Sequence, residues 1–192
     1  MEELTSHGVE KDAVLSRIKS QVGQWYQNGE ITKQQAIDML TKYSELDSEK
    51  ITAQVNKWSS KVVTGIAYED IADEFLAGNI TEARAKEMYI RYGGYTQEKA
   101  HEKVYALAFQ KAHPGCEGIS YAAVEKYESY CEEKGVTAEV FYEAWKYKHT
   151  DGVLKENAMD YIHGLDLSRA QKNALYYAMG WAKSELYKAP WN

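Results

Sequence analysis

Residues 29–43 have the sequence GEITKQQAIDMLTKY, and residues 78–92 have the related sequence GNITEARAKEMYIRY. The two stretches lie 49 residues apart and match in register at a glycine, an isoleucine, a threonine, an alanine, a methionine and a tyrosine. Three further pairs share this spacing: Glu49 and Glu98, Lys50 and Lys99, and Val55 and Val104. So many matches in one register indicate an internal repeat, and repeats of this length are typical of stacked helical arrays.

A third, looser copy follows. Residues 119–124 resemble residues 66–71, and residues 135–137 restate the Gly-x-Ile-Thr corner with one residue missing. The spacing from Thr81 to Thr137 is 56 rather than 49 residues, and extra residues around 113–118 together with a longer helix before Gly135 would account for the difference. We place the copies at about residues 18–65, 66–115 and 119–163, with a C-terminal capping helix at 168–187, all within a single all-α domain over residues 1–192.

Each copy is predicted to form three helices, because apolar residues recur at spacings of three and four and no stretch sustains the alternation of a strand. The glycine of each corner ends the first helix, at Gln27 in copy one and Ala77 in copy two. The expected N-caps are Thr32, Thr81, Thr137 and Ser168, with capping-box partners Gln35 for the first and Gln171 for the last. The sequence therefore predicts an all-α fold, a short helical-repeat array or bundle of about ten helices in three degenerate three-helix units.

The composition also favours helices, and it limits the classes of protein to which the chain can belong. The chain has 192 residues and two prolines, so long stretches are free of helix breakers. Its net charge of -6 comes from 29 acidic and 23 basic residues that are interleaved, which is ordinary solubility charge rather than a polyanionic tail. Residues 1–11 are polar and acidic, and no later segment reaches the length of an apolar membrane span, so we expect a cytoplasmic protein.

No constellation of residues indicates catalysis, a metal or a cofactor. Cys116 and Cys131 lie fifteen residues apart without a CxxC pattern, and two reduced thiols are expected. The corner from Trp25 to Gln35 has the spacing of a calcium loop but lacks the oxygen ligands that calcium needs. The five histidines are scattered, and the motifs of acyl transfer and nucleotide binding are absent. We therefore predict a protein that is not an enzyme, with no catalytic, cofactor or metal residues.

The aromatic content is the most informative feature, since sixteen tyrosines and five tryptophans are many for a chain of this size. Tyr43, Trp58 and Tyr92 occupy repeat-core positions and are expected to be structural. The repeat pattern is abandoned in the C-terminal third, and departures from a scaffold's own rules are where function is expected. The candidate partner-binding residues there are Trp145, Tyr147, Tyr176 and Trp181, although Tyr176 and Trp181 could as easily close the last helix against the bundle. The N-terminal unit, by contrast, is expected to be a plain cap.

Two other surfaces stay open as alternatives. The stretch from Trp145 to His149 interleaves basic and aromatic residues and could face a phosphate backbone, although the chain as a whole is acidic. Asp70, Asp73 and Glu74 are three acidic residues at helical spacing. This cluster of carboxylates is the second candidate for a protein contact.

Residues 29–43, 64–104 and 160–191 resemble a helical repeat and its terminal cap found in phage and prophage proteins of gut Firmicutes. The likeness runs from about Ile18 to Trp191. It rests on a Tyr-x-x-Ile helix, the Gly-x-Ile-Thr corner, the Tyr-Gly-Gly turn at 92–94 and the closing Ala-Pro-Trp at 189–191. Copy one departs from it with Ser44-Glu45 where copy two has Gly93-Gly94.

This resemblance implies a class of function, but it does not identify any residue of a functional site. Small acidic phage proteins without an active site are similar in kind to inhibitors of host defence, including anti-CRISPR proteins, which occupy a surface of an effector. The resemblance thus implies a stoichiometric inhibitor, in the bacterial host cytoplasm, of a large protein or ribonucleoprotein such as a CRISPR effector. The alternatives are a phage virion or assembly component and, second, a nucleic-acid-binding accessory protein.

Overall fold

A computed structural model describes residues 11–192, and this part of the chain contains ten α-helices, three short 3-10 segments and no strand. The all-α prediction is confirmed. The helices are α1 (Lys11–Gln27), α2 (Lys33–Tyr43), α3 (Ser48–Thr64), α4 (Ile71–Leu76), α5 (Glu82–Gly93), α6 (Gln97–Ala112), α7 (Tyr121–Tyr130), α8 (Ala138–Lys148), α9 (Lys155–Gly164) and α10 (Arg169–Ala178). The 3-10 segments are Tyr68–Asp70, Glu132–Lys134 and Lys183–Lys188. The polar lead-in expected at residues 1–10, with His7, lies outside the described residues.

The repeated corner has the same local structure in all three copies. Gly29, Gly78 and Gly135 have φ values of 77°, 84° and 68°, a left-handed conformation that glycine adopts without a steric cost. Thr32, Thr81 and Thr137 then cap α2, α5 and α8, as predicted, and each hydroxyl accepts a hydrogen bond from the backbone N–H three residues on. The corner therefore stops one helix and starts the next within a few residues.

The turn after α2 shows how copy one replaces the double glycine. Glu45 has a φ of 46°, whereas its equivalent in copy two, Gly94, has a φ of 68°. Both residues are left-handed, so the chain keeps the turn while the sequence departs from it. The next helix then begins in the same way, with Asp47 accepting a hydrogen bond from the N–H of Lys50 over 2.8 Å.

The cap of α2 leads to a first testable expectation. Thr32 accepts from the N–H of Gln35 at 3.2 Å, and the Gln35 side chain accepts from the N–H of Thr32 at 2.8 Å. Thr32→Ala removes one of these two bonds and is expected to lower the free energy of unfolding by about 1 kcal/mol. Urea denaturation of this variant measures the loss, with Thr32→Ser as the control that keeps the hydroxyl. Equal stability of Thr32→Ala and the parent would contradict this account of the cap.

The chain forms two compact units, one ending at His101 and one running from Glu102 to Asn192. In the first, α3 packs on α1 and α2 through Ile51, Val55 and Trp58, which are buried with Leu40 and Val22. The helix α5 packs mainly on α3. In the second unit, the core of helices α7, α8 and α10 contains the buried residues Val124, Tyr127, Phe141, Leu175 and Met179. The division of the chain into three copies within a single domain stays a prediction.

The last helix is shorter than the sequence indicates. The capping helix, expected at 168–187, begins after Ser168 with the predicted Gln171 box but ends at Ala178. The cause is Gly180, whose left-handed φ of 76° turns the chain and whose N–H donates to the carbonyl of Tyr177. The chain then folds back, and Trp191 Nε1 donates to Asn173 Oδ1 at 2.8 Å, which fastens the tail onto α10.

Candidate functional site

Tyr176, a candidate partner-binding residue in the sequence, is buried, in agreement with the alternative that it closes the last helix against the bundle. Its side chain is 0% exposed. Its ring lies edge-on to those of Trp181 and Trp191, with centroids 5.0 and 6.4 Å away, and its hydroxyl donates to the carbonyl of Ala182 at 3.2 Å. The tail that returns over α10 after Gly180 buries this side chain, which explains why helical spacing alone did not place it in the core.

The stretch from Trp145 to His149 does not form one continuous aromatic and basic face. Trp145 is half-buried between the rings of Phe141 and His149, whereas the exposed Tyr147 stacks on Tyr161 at 4.6 Å. Because Trp145 and Tyr147 are two residues apart on a helix, their side chains point to different sides of α8.

The lysines of this stretch also have partners inside the protein. Lys148 Nζ donates to the carbonyl of Met179 at 2.7 Å, and burial lowers the pKa of this lysine. Lys146 pairs with Glu143 at 3.2 Å, and this hydrogen bond raises the pKa of Lys146. Both ammonium groups are therefore engaged by neighbouring protein groups, and Lys148 serves to hold α8 to the end of α10.

A more coherent aromatic surface lies between α7 and the end of α10, and we call it the α7–α10 surface. It is a groove of about 440 Å³ lined by Lys126, Tyr130, Tyr177, Gly180, Trp181 and Lys183. Tyr130 is 39% exposed, and its ring centroid lies 6.0 Å from that of Tyr177. A second hollow of about 300 Å³ continues from the same two tyrosines toward Glu133 and Lys134.

Of the four predicted aromatic residues, this surface contains Trp181 alone. Tyr130 and Tyr177 were not among the predicted site residues, because whether they meet depends on the packing of α7 against α10. No signal in the sequence separated Tyr177 from its neighbours, because Leu175 and Tyr176 are adjacent and both buried whereas Tyr177 is half-buried.

Trp181 is held firmly at the edge of the α7–α10 surface. Its ring contacts Tyr176, and Lys155 Nζ lies 5.9 Å from the ring centroid. Lys155 also donates to Glu185 at 2.7 Å, and Lys188 donates to the same carboxylate at 3.0 Å. These hydrogen bonds from Lys155 and Lys188 lower the pKa of Glu185 to about 2. The indole is therefore half-buried and fixed in position, which lowers the entropy cost of using it in an interface.

The three carboxylates of the alternative contact site, those of Asp70, Asp73 and Glu74, do not form one common site. Asp70, at the end of the 3-10 segment before α4, and Asp73, within α4, are exposed, and Glu74 is half-buried. Glu74 Oε2 accepts a hydrogen bond from Asn79 Nδ2 at 2.8 Å, and its backbone carbonyl accepts from the N–H of Asn79. Glu74 therefore stabilises the repeated corner, and the other two carboxylates form a solvated helix face.

No group of three or more histidine, cysteine, aspartate or glutamate side chains within residues 11–192 is placed to hold a metal ion. In the same range, no helix is both long and apolar enough to cross a membrane. Cys116 and Cys131 are buried, separate thiols. Burial raises the pKa of Cys131 to about 12, and burial together with the nearby carboxylates of Glu139 and Glu117 raises the pKa of Cys116 to about 11.

These pKa values lead to a second expectation. At pH 8 the thiolate fraction is roughly one in a thousand for Cys116 and one in ten thousand for Cys131, and the thiolate is the reactive form. Native protein is therefore expected to react with a thiol reagent such as Ellman's reagent far more slowly than protein unfolded in guanidinium chloride. In the unfolded protein, both cysteines are expected to react rapidly. Free glutathione under the same conditions is the control. Fast stoichiometric labelling of the native protein would contradict the buried placement.

The outer face of the first copy is also unlike its prediction. Tyr43, expected at a core position, is 43% exposed, whereas Trp58 and Tyr92 are buried as predicted. Tyr43 lines an open groove of about 740 Å³ with apolar side chains of α1 and α2. Capping repeats usually present a polar outer face, and the role of the N-terminal unit as a plain cap stays a prediction.

Comparison with known proteins adds no relative to these observations. No protein-family model, no curated protein and no solved structure matches this chain.

Proposed function

We propose that this chain is a non-catalytic binding protein that covers a surface of a large protein or ribonucleoprotein. The observation that carries the proposal is the α7–α10 surface. Its lining side chains are aromatic rings and lysine ammonium groups, and none of them is a carboxylate, an imidazole or a thiol. This is a surface suited to recognition, since tyrosine and tryptophan are enriched in interface hot spots and rings held by their neighbours lose little entropy on binding.

Lys126 and Lys183 define the chemistry of the partner. The Lys126 ammonium lies 5.7 Å from the centroid of the Tyr130 ring, and Lys183 lines the groove beside Trp181. A partner with carboxylate or phosphate groups around an apolar centre would complement this surface. The net charge of -6 disfavours general binding to bare nucleic acid, so a protein or ribonucleoprotein is the better match.

The first candidate partner is a host-defence effector such as a CRISPR effector, and the chain would inhibit it stoichiometrically. This step rests on the resemblance to phage helical-repeat proteins and on the likeness in kind to anti-CRISPR proteins. The alternative is a virion or assembly component of a phage, which would use the same surface to contact another structural protein.

A plaque assay tests the first candidate. The chain is expressed in bacteria that carry an active CRISPR system targeting a phage, and in a matched strain without that system. We expect plaquing in the defended strain to rise toward that of the undefended strain, and to be unchanged in the latter. Unchanged plaquing in strains with each type of CRISPR system, together with abundant chain in purified virions by mass spectrometry, would contradict the inhibitor and favour the structural alternative.

A further inference from the structure

Three lysines along the α7–α10 surface have ammonium groups that are not paired within the protein. Those of Lys126, Lys134 and Lys183 form no hydrogen bond or ion pair with the described residues. All three line the α7–α10 surface or the hollow that continues from it. Other lysines of the same unit donate to a carboxylate or a carbonyl and so stabilise the fold: Lys146, Lys148, Lys155, Lys172 and Lys188.

The two tyrosine rings lie at the centre of this surface. Tyr130 and Tyr177 line both the groove and the hollow that continues from it, so their rings separate the two. On α7, Lys126 and Tyr130 are four residues apart, which places them on the same side of the helix. On α10, Ala170 and Ala174 line the hollow one helical turn apart. Their small side chains leave room beside the rings for an apolar side chain of a partner.

The charge of this surface differs between its two ends. Lys126 and Lys183 line the groove, and no carboxylate of the described residues lines it with them. In the hollow beyond the tyrosines, Lys134 is accompanied by Glu133. An anionic group is therefore attracted to the end with Lys126 and Lys183, whereas an anion that extended past the tyrosines would meet the Glu133 carboxylate.

This distribution of charge favours an acidic protein segment over a nucleic acid. A single-stranded nucleic acid also stacks on aromatic rings, but it carries a phosphate at every nucleotide and needs a positively charged groove along its length. Glu133 in the hollow and the net charge of -6 oppose such a strand. A protein segment, by contrast, can place its carboxylates beside the two lysines of the groove and nowhere else.

We propose that the α7–α10 surface binds an acidic segment of a partner protein, in which carboxylates flank an apolar side chain. The carboxylates pair with Lys126 and Lys183, and the apolar side chain packs on the rings of Tyr130 and Tyr177. Neither lysine has an internal ion pair that must first break, so the attraction to the partner is not offset by the loss of one. This choice of partner rests on the proposed function, because it takes the α7–α10 surface as the contact.

A synthetic peptide with the sequence Gly-Ser-Glu-Glu-Leu-Glu-Glu-Ser-Gly provides a defined probe. It is added to the isotope-labelled full chain, and NMR follows the backbone amide signals, since this method also detects weak binding. The amide signals of Lys126, Tyr130 and Tyr177 are expected to shift saturably. A peptide with glutamine in place of each glutamate, and one with serine in place of leucine, should each bind about tenfold more weakly or worse. An oligouridylate, the nucleic-acid probe, should leave these signals unchanged.

The double variant Lys126→Glu with Lys183→Glu tests the two ammonium groups in the protein itself. It should weaken binding of the acidic peptide by about tenfold or more, because like charges then face each other. The matched control is Lys19→Glu with Lys99→Glu, which changes the net charge equally. Both control lysines are exposed, belong to the N-terminal unit and do not line the α7–α10 surface. The control should bind the peptide like the parent, and melting temperatures are recorded for both double variants.

The acidic partner is ruled out if the acidic peptide shifts none of these signals, if the glutamine peptide binds as well, or if both double variants lose binding equally. Stronger binding of the oligouridylate at the same signals would make a nucleic acid the occupant.

The plaque assay separates this inference from the proposed function. If the chain restores plaquing, and Trp181→Ala abolishes this effect while the Lys126 and Lys183 double variant retains it, the proposed function stands and the acidic partner is wrong. Binding of the acidic peptide by a chain that does not affect plaquing would instead contradict the inhibitor and leave the acidic partner standing.

Discussion

Tyr176→Ala is expected to lower the free energy of unfolding by about 3–5 kcal/mol, the cost of removing a large buried aromatic side chain. The ring is 0% exposed and joins the end of α10 to the returning tail through its contacts with Trp181 and Trp191. Because a whole domain is stable by only about 5–15 kcal/mol, this one change should remove much of the stability of the C-terminal unit. Thermal denaturation followed by circular dichroism measures the effect.

Two matched variants separate the ring from its hydroxyl and from its neighbour. Tyr176→Phe removes only the hydrogen bond to the carbonyl of Ala182 and should cost about 1 kcal/mol. Tyr177→Ala changes the adjacent, half-buried ring on the α7–α10 surface and should cost much less than Tyr176→Ala. If Tyr176→Ala melted like the parent while Tyr177→Ala unfolded, the two residues would have exchanged roles, and the described α10 would be wrong.

The second large effect is expected on partner binding. Trp181→Ala should weaken binding to the effector identified by the plaque assay at least about 30-fold, equivalent to about 2 kcal/mol, as for an aromatic hot spot. The reason is that the indole lies at the edge of the α7–α10 surface and is held there by Tyr176 and Lys155. Isothermal titration calorimetry measures the affinity, and the melting temperature is recorded for the same variant.

Tyr147→Ala is the control for this experiment, because Tyr147 is exposed on α8, stacks on Tyr161 and does not line the α7–α10 surface. Its removal should leave the affinity within about threefold of the parent, as expected for a residue outside the contact. Tyr130→Ala, on the same surface as Trp181, should behave like Trp181→Ala. A loss of affinity with Tyr147→Ala and none with Trp181→Ala would move the interface to α8.

Local chemistry made much of the fold predictable from the sequence. Thr32, Thr81 and Ser168 were predicted as caps because a threonine or serine before an apolar-periodic stretch satisfies the free N–H groups of a helix with its own side chain. Gly180 shows the limit of this approach. The sequence carried the expected helix past it toward Tyr187, but its left-handed conformation ends α10 at Ala178.

The candidate site was less predictable, because it depends on which helices meet. Tyr130 belongs to the candidate site because α7 packs against α10, and no local sequence pattern encodes that packing. Tyr43 and Tyr92 make the same point within the repeat. They occupy equivalent positions, yet one is 43% and the other 5% exposed, and the helix that carries the second packs on α3 of the preceding copy. Burial of a repeat residue is set by its neighbouring copy as well as by its own sequence.

A titration of the effector's nuclease activity with the purified chain tests the central claim most directly. The effector is the one identified by the plaque assay, held at a concentration well above the dissociation constant. A surface-occluding protein without turnover predicts that activity falls in proportion to the added chain and reaches its floor near one chain per binding site on the effector. Complete inhibition at ratios far below one, growing with incubation time, would contradict the account and require the chain to be an enzyme.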